Sequence, residues 1–286
     1  MSNSWVVCKR EFKSYFSTPV GYVVLGSYAM ISGLGFSFSF IYYSFTTEAP
    51  ALYKLPAVPD FEEFFLSEYL VYCGLIMMFI GPLITMSLLA EERYQGTIEL
   101  LLTHPLRDRD IVIGKYLAAL SILGLMFVTT GVNLGIVYYF VDVEIEVLLF
   151  GLLAFFLMGA AFLSMGLFVS SVCRTQITAA TLTFAAYFVF FMMGYMAEDL
   201  PDDLPVPVDW SERTRDYANA SYAGFRTIIN ELPIDAHARQ MAQGIFQPAD
   251  VAYYVLFIVF FLFLTFRSLE MRKWRGSTVR RIRTIS

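Results

Sequence analysis

The densest group of side chains that could do chemistry is Glu91-Glu92-Arg93. It stands where a long apolar run ends, and it is followed by Tyr94-Gln95-Gly96-Thr97-Ile98-Glu99-Leu100-Leu101-Leu102-Thr103-His104-Pro105. Two adjacent carboxylates beside a guanidinium can pair as ions, hold a helix end or trade protons. Acid–base catalysis would need a further partner, and no His, Asp or Glu lies inside any apolar run to supply one. Cys8, Cys73 and Cys173 are too scattered for a disulfide framework or a thiolate metal site, and His104 and His237 alone make no ligand set. The 13 Met are dispersed, with Met77-Met78 and Met192-Met193 the adjacent pairs, which argues against a copper site. A Gly-x-x-x-x-Gly-Lys-Ser/Thr loop is absent, so the sequence offers no P-loop for nucleotide hydrolysis.

The elements that must position these residues are set by composition. Of 286 residues 57% are hydrophobic and only 16% charged, against roughly 25% in soluble domains, so the solvent for most of the surface is a bilayer. Six uncharged stretches stand out: Ser14 to Thr47, Tyr69 to Ala90, Tyr116 to Val141, Val147 to Cys173, Thr175 to Ala197 and Val251 to Phe266. Five exceed the roughly 20 residues that cross a bilayer as helix, and the sixth can extend from Pro248 to a snorkelling Arg267. Their continuous rather than alternating apolarity predicts helices and not a barrel. The fold class is all-α, a polytopic membrane protein with six transmembrane helices and a single domain over residues 1–286. No charge lies inside any of the six runs, which removes the usual ingredients of a proton or sodium relay.

Orientation follows from the cations. Lys9, Arg10, Lys13, Arg93, Arg107, Arg109, Lys115, Arg174 and the basic tail 267–286 fall on one set of segments, while the alternate set holds most of the 25 acids. Cationic segments stay on the cytoplasmic side, so both termini are expected there. The net charge of −5 argues against nucleic acid as a partner.

Outside the spans, residues 1–18 predict a helix lying in the inner interface. Trp5, Cys8, Phe12, Tyr15 and Phe16 share a sector of about 100°, the charges lie outside it, and Pro19 favours a break before the first span. The segment 198–250 predicts two short amphipathic helices. Phe225, Ile228, Ile229 and Leu232 form one apolar face and Ala238, Met241, Ala242 and Ile245 the other, with Asp235 as a cap. Within the spans, Asn133 either faces a translocation path or bonds across helices, and the Gly131/Gly135 spacing suggests close helix packing.

In the inner loop 91–115, Gly96 allows a sharp turn, Thr97 can cap a short helix favoured by Glu99 near its start, and Pro105 stops it. Ile98, Leu101 and Leu102 on a two-turn helix with nothing of its own to pack against need a partner.

This loop resembles that of ABC type-2 exporter permeases. In that family the loop between helices 2 and 3 reads acid-acid-basic, Gly-Thr-x-Glu-Leu-Leu-Leu, Thr-x-Pro, then Gly-Lys. The matching residues are Glu91, Glu92, Arg93, Gly96, Thr97, Glu99, Leu100, Leu101, Leu102, Thr103, Pro105, Gly114 and Lys115. The gliding-motility and nitrous-oxide-reductase-maturation branches resemble the chain most. The resemblance implies a non-catalytic transport permease of the bacterial inner membrane. It pairs with a second permease, a homodimer being favoured over a heterodimer, and with an ATP-binding subunit that carries ATP and Mg and docks on the inner loop. It leaves room for an accessory membrane or periplasmic subunit, and for a non-transporting anchor or mechanical scaffold built from the same parts. No cofactor or metal is expected in this chain.

Overall fold

The computed structural model describes residues 3–53, 60–94, 96, 108–141, 143–198, 200–201 and 211–283, with side chains throughout except at 62, 63, 197, 198, 212 and 272–283. These residues are helical with no strand among them. The helices are α1 (Asn3–Ser17), α2 (Pro19–Glu48), α3 (Glu68–Tyr94), α4 (Asp108–Phe140), α5 (Ile145–Val172), α6 (Gln176–Glu198), α7 (Glu212–Glu231), α8 (Ile234–Ala242) and α9 (Pro248–Arg283). A π-helical stretch, Glu62–Ser67, leads directly into α3.

Six of these are long and apolar enough to cross a membrane: α2, the helix Phe64–Tyr94, α4, α5, and the stretches Gln176–Met196 and Pro248–Met271 of α6 and α9. The uncharged run from Ser14 is divided at the break that Pro19 favours, and the first span begins at Pro19. Residues 14–17 belong to α1, and Pro19 occupies the first turn of α2, where its missing N–H is no loss.

α3, α4 and α5 form the buried heart, whereas α2, α6 and α9 keep most of their surface open. Residues such as Tyr69, Met77, Leu123, Phe155 and Leu163 have no measurable exposure. Little hydrophobic force operates between helices in lipid, so packing and interhelical hydrogen bonds must hold the bundle. Tyrosines supply many of these bonds, each hydroxyl donating to a backbone carbonyl of another element. The pairs are Tyr15 to Ile84 (2.5 Å), Tyr72 to Ile31 (3.3 Å), Tyr116 to Ala160 (2.9 Å), Tyr187 to Phe162, Tyr222 to Pro201 (2.6 Å), Tyr253 to Leu232 (2.6 Å) and Tyr254 to Ile234 (2.6 Å).

Asn133 of α4 donates to the Tyr69 hydroxyl of α3 at 2.8 Å, so its amide crosses helices. The expectation for Gly131 and Gly135 is overturned, since a side chain added at either would meet nothing within 4 Å. That stretch of α4 faces outward beside the exposed Val128, Val132 and Ile136.

The two helices of the 198–250 segment behave differently. α8 buries Ile234, Ala238, Met241 and Ala242 against the bundle. Pro233, not Asp235, stands at its N-cap, and Asp235 falls in its first turn. His237 is buried, with Nδ1 2.7 Å from Asp250 Oδ1, Nε2 3.0 Å from the Glu231 carbonyl, and its ring 4.1 Å from that of Tyr253. α7 does not bury its apolar face: Ile229 is covered, but Phe225, Ile228 and Leu232 are exposed.

Candidate functional site at the roots of the α3–α4 loop

The loop between α3 and α4 leaves the bundle at Tyr94 and returns at Asp108. Thr97, Ile98, Glu99, Leu101, Leu102, Thr103 and Pro105 lie outside the described residues, as does His104. The roots of the loop are described, and they carry the charges. Glu92 sits in the last turn of α3 and Lys115 in the second turn of α4, with Lys115 Nζ 2.9 Å from Glu92 Oε1. The same ammonium lies 3.2 Å from Glu11 Oε1 of α1, and Arg10 stands 2.6 Å from Glu11 and 3.5 Å from Glu92.

Burial decides what this group can do. The Lys115 side chain is 1% exposed, Glu11 16%, Glu92 19% and Arg10 56%. A lysine so far out of water keeps its charge at acceptable cost only when carboxylates replace the lost hydration, and here two do so. The four charges sum to zero. Burial alone would push the Glu11 carboxyl up, but Lys115, and then Arg10, more than offset it and hold its pKa below the ordinary glutamate value.

The cluster exists because α1 lies close along α4. Gly114 makes the approach: a side chain there would stand 2.7 Å from the Ser4 carbonyl oxygen and from Val7 Cβ. Ser4 Oγ donates to Asp110 Oδ1 at 2.9 Å, Val7 and Cys8 are buried along the same contact, and Tyr15 is buried against α3. Burial raises the Cys8 thiol pKa, a side-chain hydrogen bond with Ser121 offsetting part of the effect. The expected apolar sector of α1 is thereby divided. Cys8 and Tyr15 turn into the bundle, Phe12 and Phe16 are half-buried with rings 4.9 Å apart, and Trp5 is 52% exposed.

Arg93 is aimed elsewhere. Its guanidinium donates to the carbonyls of Ser171, Val172 and Cys173 at the C-terminal end of α5, where positive charge also meets the negative end of the helix dipole. One turn earlier Ser170 Oγ inserts into the α3 backbone ladder, accepting from the N–H groups of Leu89 (3.2 Å) and Ala90 (3.1 Å). Glu91 is half-buried in the same turn as Glu92. Gly96 adopts φ +71°, and its N–H donates to the Arg93 carbonyl at 3.3 Å, a left-handed turn that any other residue would enter with strain.

Sequence reasoning found Glu91, Glu92, Arg93, Gly96 and Lys115 but missed Arg10, Glu11, Ser170 and the role of Gly114 as a contact point. Glu11 did leave a signal, being the only acid ahead of Glu48 and placed on an otherwise cationic helix. Ser170 left none, because a serine at a helix end reads the same whether it caps, bonds or is idle. Among the described residues, no group of three His, Cys, Asp or Glu could hold a metal ion.

Six helices able to cross a membrane, with an amphipathic first helix joined to both roots of the α3–α4 loop, make this an all-helical, multi-pass membrane protein. The chain belongs to the ABC-2 family of transporter proteins, whose family model matches residues 18–274. It is 36% identical over 144 residues to the probable multidrug ABC transporter permease YbhR of Escherichia coli strain K12, and equally to the protein of that name from Escherichia coli O157:H7. The matched stretch is 47% of this chain and 38% of each relative, so it spans well under half the length of the curated relatives it matches.

Proposed function

We propose that this chain is the permease subunit of an ATP-driven transporter of the bacterial inner membrane, with both termini cytoplasmic and with ATP and Mg bound by a separate ATP-binding subunit docked on residues 97–105. The observation that carries the reading is the Lys115–Glu92–Glu11 cluster, which ties the two roots of that loop to each other and to α1. A partner that pushes or pulls the loop then moves α3, α4 and α1 as a unit, and Arg93 passes the movement to the end of α5. Ile98, Leu101 and Leu102 supply the apolar anchor, and burial of two or three such side chains would contribute very roughly 3–6 kcal/mol before association costs.

The open faces of α2 and α6 suit pairing with a second permease, taken here as a copy of this chain. The relatives are named as probable multidrug transporter permeases, and spans free of interior charge suit a cargo that is itself apolar or amphiphilic.

The test is co-expression with the ATP-binding subunit. Leu101→Asp or Leu102→Asp should abolish co-purification while membrane insertion of the permease is unchanged. Full co-purification with either variant overturns the docking assignment. In reconstituted vesicles, ATP-dependent movement of cargo separates a transporter from a mechanical anchor that hydrolyses ATP without moving anything.

A further inference from the structure

The short connection between α7 and α8, Glu231-Leu232-Pro233-Ile234, is held by rings. Three of its carbonyls each face a ring-borne donor. That of Glu231 lies 3.0 Å from His237 Nε2, that of Leu232 accepts from the Tyr253 hydroxyl at 2.6 Å, and that of Ile234 accepts from the Tyr254 hydroxyl at 2.6 Å. Pro233 has no N–H and the last carbonyls of a helix lack ladder donors, so side chains donate at this turn. Two of the three donors are phenols, which keep their proton well above neutrality. The third is an imidazole, the side chain whose charge changes near neutral pH.

His237 meets an acceptor at both ring nitrogens. Nδ1 lies 2.7 Å from Asp250 Oδ1, in the first turn of α9, while Nε2 faces the Glu231 carbonyl. A neutral imidazole has a single N–H and can serve only one of them, and the carbonyl cannot donate in return. The pair therefore holds one proton more than a neutral ring beside a carboxylate, and imidazole is the stronger base of the two, so that proton rests on the ring. The His237 and Asp250 side chains are 11% and 3% exposed, and Asp250 Oδ2 is buried with no hydrogen bond among the described residues, which leaves the ring as this carboxylate's partner. The surroundings are negative. Asp235 and Asp250 both act on the Tyr254 hydroxyl, whose ring lies 6.2 Å from that of His237. Asp235 and Arg239 share the other face of α8 at i,i+4 spacing, with the Asp235 carboxylate against Gly194 of α6. Helices α3 and α5, also packed on α8, carry Glu68, Glu144 and Glu146 at this end, all exposed.

We propose that His237 is a proton-held latch: doubly protonated, it clasps the last turn of α7 to the first turn of α9, and loss of its Nε2 proton releases α7. When the ring becomes neutral, the one remaining N–H stays on Nδ1, where the carboxylate makes the stronger, charge-assisted bond. Nε2 then turns a lone pair toward the Glu231 carbonyl, and the clasp is gone. The contribution of the latch to stability is present while the ring is doubly protonated and is lost as pH rises through its titration. The latch therefore reads the acidity on the face opposite the 95–107 loop, where α9 begins, since the spans alternate in direction. It does not depend on the ATPase docking.

The test uses the full chain in nanodiscs, with its histidine rings labelled with nitrogen-15 and His104→Gln leaving His237 as the one ring to observe. By nuclear magnetic resonance both ring nitrogens should carry protons at about pH 6, and Nε2 should have lost its proton by about pH 9. A second reading follows α7 itself. In a Cys8→Ser, Cys73→Ala, Cys173→Ser chain, Ile229→Cys at a covered position and Ile228→Cys at an exposed one are labelled separately by a methanethiosulfonate, so that the ratio of the two rates cancels the thiol's own titration. That ratio should rise about fivefold from pH 6 to pH 9 as α7 comes free. His237→Gln should give the high ratio at both pH values. Asp250→Asn should give the low ratio at both, because its amide can donate to Nδ1 and leave the neutral ring its Nε2 proton for the carbonyl. A ring carrying one proton at pH 6 overturns the proposal, as does a ratio that stays flat between pH 6 and pH 9 with His237 in place or that rises equally after His237→Gln.

Discussion

Lys115 Nζ lies 2.9 Å from Glu92 Oε1, joining two helices whose intervening loop has left the bundle and returned. Each residue marks one root of that loop, and Glu11 of α1 completes the buried set. Lys115→Met should therefore leave the two carboxylates with only the exposed Arg10 between them and destabilise the protein by about 3 kcal/mol. Adding Glu92→Gln to Lys115→Met should recover part of the loss, because the remaining charges then come closer to balance. Thermal unfolding of the single and double variants measures the coupling, and additive losses would show that the pair is not energetically linked.

The depressed pKa of Glu11 makes a statement about acid. A carboxylate whose pKa is lowered in the folded state stabilises it above the unfolded value of about 4.3, and this contribution disappears as pH falls through the lower folded value. The wild-type chain should lose stability below about pH 4.5 more steeply than Glu11→Gln, with the two curves parallel near neutrality. Midpoints of thermal unfolding between pH 3.5 and 7 give the difference, and identical slopes at the acid end would remove Glu11 from the cluster's energetics.

Gly114 and Cys8 provide a chemical readout of the α1 contact. Cys8 is buried and its pKa is raised, so in a Cys73→Ala, Cys173→Ser background it should react slowly with a maleimide. Gly114→Ala places a methyl group 2.7 Å from Ser4 and Val7 and should pry α1 from α4, speeding the labelling of Cys8 by about tenfold. An unchanged rate would mean that α1 absorbs the methyl group without opening.

At the opposite end, His237 bridges Asp250 and the Glu231 carbonyl. His237→Ala leaves the buried Asp250 carboxylate without its imidazole and should cost about 2–3 kcal/mol. The effect should be local: limited proteolysis of the α7–α8 connection should quicken while the Cys8 labelling rate stays as in the wild type.

Pairing of two permeases through α6 should be visible by crosslinking, but only from its open positions. Thr183 and Tyr187 are fully buried within one chain, whereas Leu182 and Val189 are 52% and 55% exposed. Cysteine at Leu182 or Val189 should give a permease–permease adduct, and cysteine at Thr183 should not.

Much of the fold was readable because a bilayer demands long apolar helices, and the six runs without charge declare them. The break at Pro19 was equally legible, since proline fixes where a helix can begin. What escaped were facts of juxtaposition. Glu11 and Lys115 are more than a hundred residues apart, and nothing local to either announces the other. Arg93 was legible as part of a charged triplet but not as a clasp on α5, because the carbonyls it holds belong to a helix end that any sequence would present. The apolar face of α7 was legible but its direction was not, since periodicity tells which residues share a face but not what that face meets. Gly131 and Gly135 fail for the same reason.

The tyrosine hydroxyls that reach across the bundle have a consequence for how the sequence can drift. Most of their carbonyl acceptors, those of Ile31, Ile84, Ala160 and Phe162 among them, sit in helix interiors and keep their own ladder partner whether or not the hydroxyl is there. Exchanging such a tyrosine for phenylalanine removes donor and need together and strands no acceptor, so each loss should stay near or below about 1 kcal/mol. The bundle is fastened by many small clasps, none indispensable. Its helices can therefore exchange aromatic residues one position at a time while keeping their alignment, a tolerance that the buried Lys115 does not share.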